Sequence, residues 1–420
     1  MKYYIEKLQH RVDLYKNKYK QKPRKMAFKL FWWNFKCLFK KYENNLKQDK
    51  KYDLPIEYVS TSDDERLSIY IVAVDSIGDY FMLRNYFTAL KNDLRFKNAK
   101  ITFIGSKTCA SFAEFLDVGI IDKFVWLPHW IWEKDKKLIS SIRDEFLMPQ
   151  ISNYCDILLL PSVNNVGRMF FYNTLLSKIY AKNSYIHIAY PNSNNDCSAY
   201  LNYNHSIVNF TAKKNFEFKN NGYFFERSLN VKTQSDVPFI INKEIKKYKA
   251  ANKYVVICLG AQAQTRKWHI NNWCELIRFF HSKKLDIKIV GGKDDVSQCA
   301  LIEKILKFKI DIHINLPVEK LLNLLNNAEL FIGNDSGIFH ISAALQTKSI
   351  AISSSYAFAF YRFMGYPEKD YVKICRPFQT QQYVIQNFDT DTEIDSKLNI
   401  INSVEYSDVI KICSELLESK

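Results

Sequence analysis

Three short stretches of this 420-residue chain combine glycines with ionisable and hydrogen-bonding side chains next to apolar runs. In "LFIGNDSGIFHISAAL", Asp335, Ser336, Gly337 and His340 sit between an apolar strand-like run and an apolar helical one. Unpaired N–H groups at such a helix start can hold phosphate oxygens, and Gly337 lets the backbone approach closely. Asp335 repels phosphate but accepts from an amide or hydroxyl; helix capping alone would also satisfy it. His340, one turn inside, is equally consistent with a satisfied core histidine. "LGAQAQTRKWHINNW" fills a strand-to-helix loop with Gln262, Gln264, Thr265, Arg266 and Lys267, where a lysine can neutralise an anionic leaving group or simply be solvated. In "VDSIGDYF", Gly78 makes a turn and Asp79 starts a helix. A carboxylate there serves as a cap, or takes a proton from an attacking hydroxyl while the helix dipole keeps it ionised.

These loops need a scaffold that presents strand ends, and the hydrophobic pattern supplies one. "SIYIVAV" (68–74), "KITFIG" (100–105), "DILLLPS" (156–162) and "YIHIAYP" (185–191) read as buried strands, with helices at 79–91, within "TCASFAEFLDVG" and at 168–181. The rhythm fades over the Asn/Lys-rich residues 205–252, where a domain boundary is expected. It restarts with "KYVVICLG" (253–260), "DIKIVGG" (286–292), "DIHINLP" (311–317), "ELFIG" (329–333) and "SIAIS" (349–353), alternating with helices at 270–283, 295–307, 317–327 and 336–346. Apolar strands alternating with helices predict parallel sheets covered on both faces, and a chain of this length predicts two such domains. The expected α/β organisation is two doubly wound, Rossmann-like domains, 66–235 and 250–385, facing a cleft. A terminal helix within 398–420 is expected to pack back on the first domain. Neither a GxGxxG fingerprint nor a GxxxxGK[ST] loop is present, and Asp389-Thr-Asp391 falls in a polar tail with no strand before it.

The net charge of +16 is unevenly placed. Residues 1–52 hold 16 Lys/Arg against 4 Asp/Glu, so the remainder is close to neutral. Within that arm, Phe28, Phe31, Trp32, Phe35, Phe39 and Tyr42 line one helical stripe flanked by Lys25, Lys29, Lys36 and Lys40. Rings at headgroup depth with ammonium groups beside anionic lipid make an interfacial helix, which predicts a membrane-surface role for Lys25, Phe28, Lys29, Trp32, Phe35, Lys36 and Phe39. A helical hairpin packed on the body is the plainer alternative. Nucleic acid is disfavoured because the aromatics form one contiguous face. Nine scattered cysteines without a CxxC pair or zinc spacing fit a reducing cytoplasm. No signal-type apolar segment and no apolar run of ~18 residues is seen, so neither secretion by that route nor a membrane span is expected.

Together the three loops resemble glycosyltransferase family nine, the family of bacterial heptosyltransferases, over about Ile69 to Ser353. The likeness is clearest at "GNDSGIFHISAAL", against the family's D-[ST]-G-x-x-H-x-x-A-A, then at "LGAQAQTRKW" and at "IGD". It implies the GT-B fold and an inverting, metal-independent transfer of a sugar, heptose in that family, from a nucleotide diphosphate with no further cofactor. By the same resemblance Asp79 is the base, and Gln262, Gln264 and Lys267 line the donor loop, Lys267 holding the diphosphate. Asp335, Ser336, Gly337, Ile338 and His340 would contact the donor's phosphates and sugar, and Asp294 or Asp295 the nucleotide. The family's usual Pro after Lys-Trp is His269 here, and "SSSYAFAFYRF" replaces its loop after the "SIAIS" strand. The implied partners are a nucleotide-sugar donor, a lipopolysaccharide-type or other surface-glycan acceptor and an anionic membrane face, with no nucleic acid. A non-catalytic nucleotide-sugar or protein-binding member and another GT-B enzyme such as an epimerase are the alternatives.

Overall fold

The computed structural model describes residues 66–128, 131, 135–163, 171–188, 205–209, 216–241, 245, 252–353, 372–375 and 400–418, apart from single gaps at 173 and 263. The basic arm, including every residue expected at a membrane surface, and the Asp389-Thr-Asp391 triplet lie outside them.

The amino-terminal lobe begins with β1 (Ser68–Ala73), α1 (Ile77–Leu83), α2 (Asn85–Asn92), β2 (Lys100–Ser106), α3 (Ala110–Leu116) and β3 (Lys123–Leu127). It continues with β4 (Tyr154–Val163), β5 (Tyr180–Ile188), β6 (His205–Asn209) and α4 (Glu217–Leu229). Among the described residues its six strands are all parallel, in the order β3-β2-β1-β4-β5-β6. The carboxyl-terminal lobe has β7 (Tyr254–Cys258), α5 (Ile270–Ser282), β8 (Asp286–Gly291), α6 (Val296–Leu306), β9 (Asp311–Ile314), α7 (Val318–Asn326), β10 (Leu330–Asn334), α8 (Gly337–Ala344), β11 (Ser349–Ile352), β12 (Val372–Cys375) and α9 (Tyr406–Glu418). Its order, β12-β11-β10-β7-β8-β9, is again fully parallel.

Both sheets wind outward first in one direction and then in the other. The reversal lies between β1 and β4 in the first lobe and between β7 and β10 in the second. A crevice opens where successive crossovers leave to opposite sides, at the carboxyl ends of those strands. The loop carrying Asp79 follows β1, and the two candidate donor loops follow β7 and β10. The topology therefore delivers all three candidate loops to switch points.

Several boundaries differ from expectation. β5 begins at Tyr180, earlier than the apolar run suggests, and the helix expected to reach 181 ends before it. The alternation also persists beyond 205, since β6 completes the first sheet and α4 packs beside α1 with Phe218, Phe224, Phe225 and Leu229 buried. The terminal helix corrects a third expectation: α9 packs on the carboxyl-terminal lobe, not back on the first. Val404, Val409, Cys413 and Leu416 join one apolar core with Trp268, Trp273, Ile277 and Ile332. Lys348 Nζ also donates to the Leu416 carbonyl at 2.7 Å. Among the described residues no helix is long and apolar enough to cross a membrane.

Candidate active site

Asp79 sits at the third position of α1, so it is not the N-cap. That place belongs to Ser76, whose backbone N–H and hydroxyl both donate to Asp79 Oδ2, at 3.0 and 2.7 Å. This reciprocal cap fixes the carboxylate at the helix start, where the positive end of the dipole favours its charged form. Asp79 is 6% exposed.

Gly78, expected in a turn, is helical, and the reason for glycine there lies in the other lobe. A Cβ on Gly78 would stand 2.8 Å from His340 Cδ2, and one on Gly337 would stand 2.9 Å from Ile77 Cβ and Cγ2. The amino end of α1 thus lies directly on the amino end of α8, and two glycines permit the approach. Asp79 is one residue from this contact, and Ser336 is one residue from it on the other side. His340 is buried at the junction and rests its ring against Gly78, while Ile338 is half-buried on the first turn of α8.

The donor-side loops are held from beneath. Asn334, fully buried at the end of β10, donates from Nδ2 to the Leu259 carbonyl at 2.6 Å and accepts the Trp268 N–H at 3.1 Å on Oδ1. One amide therefore ties the loop after β7 to the loop after β10. The Trp268 indole donates to the Val404 carbonyl at 2.9 Å and meets Trp273 edge-on, with ring centroids 5.0 Å apart. Burying such a ring removes roughly 200 Å² from water, a transfer term of about 5 kcal/mol that anchors the base of the polar loop.

Above that anchor stand Arg266 and Lys267. Arg266 Nη1 lies 3.6 Å from Asp335 Oδ2, an ion contact too long for a hydrogen bond, with the side chains 20% and 1% exposed. Asp335 precedes the helix instead of capping it. Ser336 is the N-cap in extended backbone, and its side chain makes no capping bond, so the first-turn amides of α8 are not closed by it. Among the described residues neither carboxylate oxygen of Asp335 has a hydrogen-bond partner. Among the described residues Arg266 is the one ionic partner of this buried carboxylate, and a carboxylate so held has the capacity to accept hydrogen bonds. Lys267 is half-buried with no carboxylate paired to it among the described residues, and Gln262 and Gln264 are exposed on the same loop.

Asp295 occupies the floor between the ends of β7 and β8. Its Oδ2 accepts from the Gly292 N–H at 2.9 Å and lies 2.6 and 2.7 Å from where Cβ atoms on Gly260 and Gly291 would be. Its carboxylate closes the turn after β8 and lies close against the end of β7 at Gly260. The Cys258 thiol nearby is pushed up to about 12, by burial first and by the charge of Asp295 second, and therefore stays neutral and unreactive.

The structure thus gathers Asp79, Asp335, Ser336, Gly337 and His340 at one junction of the lobes. Arg266 joins them through Asp335, and Lys267 follows it in the chain. Two residues with structural weight were not singled out from sequence. In the sequence Arg266 is one of two adjacent cations with nothing to distinguish it from Lys267, and Asn334 carries only the signal of a polar residue at a strand end.

Residues 200–385 match the family model for glycosyltransferase family 9 (heptosyltransferase). Lipopolysaccharide heptosyltransferase 1 of Campylobacter coli is 24% identical over 319 residues, 71% of this chain and 84% of that protein. Among solved structures, the family 9 glycosyl transferase of Veillonella parvula aligns with a TM-score of 0.61 at 13% identity, covering 84% of this chain and 97% of the other. E. coli heptosyltransferase WaaC with ADP aligns at 0.59 and 15% identity, over 83% and 100% of the two chains. At those identities the structural likeness speaks for the fold, which is GT-B, and the sequence matches speak for the family. Over residues 200–385 the chain is similar to glycosyltransferase family 9, and over a longer stretch to a lipopolysaccharide heptosyltransferase.

Proposed function

We propose that this protein transfers a sugar, with inversion and without a metal, from a nucleotide-diphosphate donor of the ADP-heptose class to a hydroxyl of a lipopolysaccharide-type acceptor. The observation that carries the reading is the lobe junction: Gly78 against His340 and Ile77 against Gly337 put the helix start bearing Asp79 beside the helix start at Ser336. In the proposed step the acceptor hydroxyl gives its proton to the Asp79 carboxylate as its oxygen attacks the anomeric carbon. The bond from that carbon to the diphosphate breaks on the opposite face. The departing charge meets Arg266, Lys267 and the amides opening α8, so the reading asks for no metal. Asp335, buried beside Arg266, accepts a donor hydroxyl. Choice of donor and acceptor draws on the named relatives, one a lipopolysaccharide heptosyltransferase and one solved with ADP.

The test is ADP release from ADP-heptose in the presence of a lipopolysaccharide inner-core precursor lacking heptose. A heptosylated product seen by mass spectrometry supports the reading; donor hydrolysis without transfer, or no consumption, overturns it. The reading also places the enzyme at the inner face of the cytoplasmic membrane through the aromatic, lysine-flanked stripe of residues 25–42. Deleting residues 1–52 is expected to abolish cosedimentation with vesicles containing phosphatidylglycerol at low salt. Equal pelleting of full-length and truncated protein would remove the anchor.

A further inference from the structure

Between α4 and β7 the chain crosses from one lobe to the other, and two adjacent residues fix that crossing from opposite sides. Phe239 is bonded to the amino-terminal lobe. Its carbonyl accepts from Asn85 Nδ2 at 2.9 Å and from Arg84 Nη1 at 3.0 Å, and its N–H donates to Asn85 Oδ1 at 3.1 Å. The Asn85 side chain therefore pairs with this residue much as a neighbouring strand would. Ile240, next in the chain, donates its N–H to the carbonyl of Ala344, the last residue of α8, at 3.1 Å. Pro238 immediately before narrows the backbone further by fixing its own φ.

The grip itself is rigidly backed. Asn85 is 3% exposed and Arg84 also 3%. Arg84 Nη2 donates to Asp117 Oδ1 at 2.7 Å and its Nε to Oδ2 at 3.3 Å, with Asp117 fully buried at the end of α3. The Tyr80 hydroxyl donates to the same carboxylate. Burial, with the charge of Asp117 adding to it, holds that phenol well above its ordinary pKa, so it remains a donor. A planar guanidinium can span a carboxylate and a carbonyl together, which an ammonium cannot reproduce in the same geometry.

The placement of these groups matters for the site. Asp79 stands on α1, whose carboxyl end runs into Arg84 and Asn85. Ser336 caps the start of α8, and Ala344 ends it. The helices of the two lobes thus meet at the Gly78–His340 contact and again through Phe239 and Ile240, at the far end of a helix about 12 Å long by its rise per residue. A single contact would act as a pivot. Two separated ones set distance and angle together.

We infer that Asn85, backed by Arg84, is a positioning residue: by gripping the interlobe backbone at Phe239 it sets the approach of Asp79 to the donor loop at Ser336 and Gly337. The inference rests on the transferase reading above, and its test separates the two. In the full chain, Asn85→Ala removes both bonds to Phe239. Asn85→Asp is nearly isosteric and turns an acceptor toward the Phe239 carbonyl, and it carries the same readings should the alanine variant fail to fold. Turnover with ADP-heptose and the heptose-free precursor is expected to fall roughly tenfold, since misplacement of reacting groups lowers rate more than binding, while affinity for ADP by calorimetry stays at the wild-type value. Amide exchange over 236–241 should accelerate without change in β7 or β10. Unchanged turnover and exchange would overturn the role, as would loss of ADP affinity in step with turnover, which marks general support of the donor lobe. If the wild-type chain transfers nothing from ADP-heptose, the transferase reading falls alone. Exchange then decides the grip: acceleration confined to 236–241 sustains it and unchanged exchange there ends it.

Discussion

Asp79→Asn is expected to reduce turnover by roughly 10²–10⁴-fold, the range over which a positioned general base acts, while ADP binding stays as in the wild type. The substitution is mild in structural terms. An asparagine oxygen can accept the same two bonds from the Ser76 N–H and hydroxyl that now reach Oδ2 at 3.0 and 2.7 Å. The cap therefore survives, and stability should fall only by the lost charge at the helix start, about 0.3–1 kcal/mol. What does not survive is basicity, because an amide cannot take the proton of an attacking hydroxyl at neutral pH. Single-turnover transfer from ADP-heptose and ADP calorimetry separate the two effects. Wild-type turnover in this variant would remove Asp79 as the base and leave it as the acceptor that ties down the Ser76 cap.

Much of this arrangement could be read from the chain, and the exceptions have physical causes. Continuous apolar runs placed most strands, and the polar loops after β1, β7 and β10 stand out because apolar segments bracket them. α4 escaped because "EFKNNGYFFERSL" contains Gly222 and two adjacent asparagines, all poor helix formers. The glycine is there for a tertiary reason: a Cβ would stand 2.5 Å from the Tyr86 hydroxyl, and that ring stacks on Phe225 at 5.0 Å. Gly78 is a parallel case, since its constraint is the His340 ring in the other lobe and nothing local announces it. The amphipathic face of α9 says that it must be covered but not by which lobe. The Asn85 grip left no motif because its partner is backbone, and backbone has no sequence signature.

Arg266 and Lys267 pose the same difficulty at the level of one residue, and their variants should separate sharply. Gln264–Arg266 form one 3-10 turn, so two adjacent cations leave the loop in different directions, and the sequence cannot say which enters the site. The structure puts the Arg266 guanidinium 3.6 Å from buried Asp335 and leaves Lys267 beyond the turn. Arg266→Ala is therefore expected to cost roughly 10²–10³-fold in turnover, the scale for removing one group that stabilises developing charge, and Lys267→Ala substantially less. Part of the Arg266 effect will appear as lost stability, because removing it strands a buried carboxylate without its counter-charge. Arg266→Lys resolves the two contributions: it keeps the charge beside Asp335 but gives up the planar fork. Recovery of the melting temperature with turnover still depressed would assign Arg266 to the diphosphate. Full recovery of turnover would show that a point charge suffices there, and a larger loss in Lys267→Ala would return the role to the lysine.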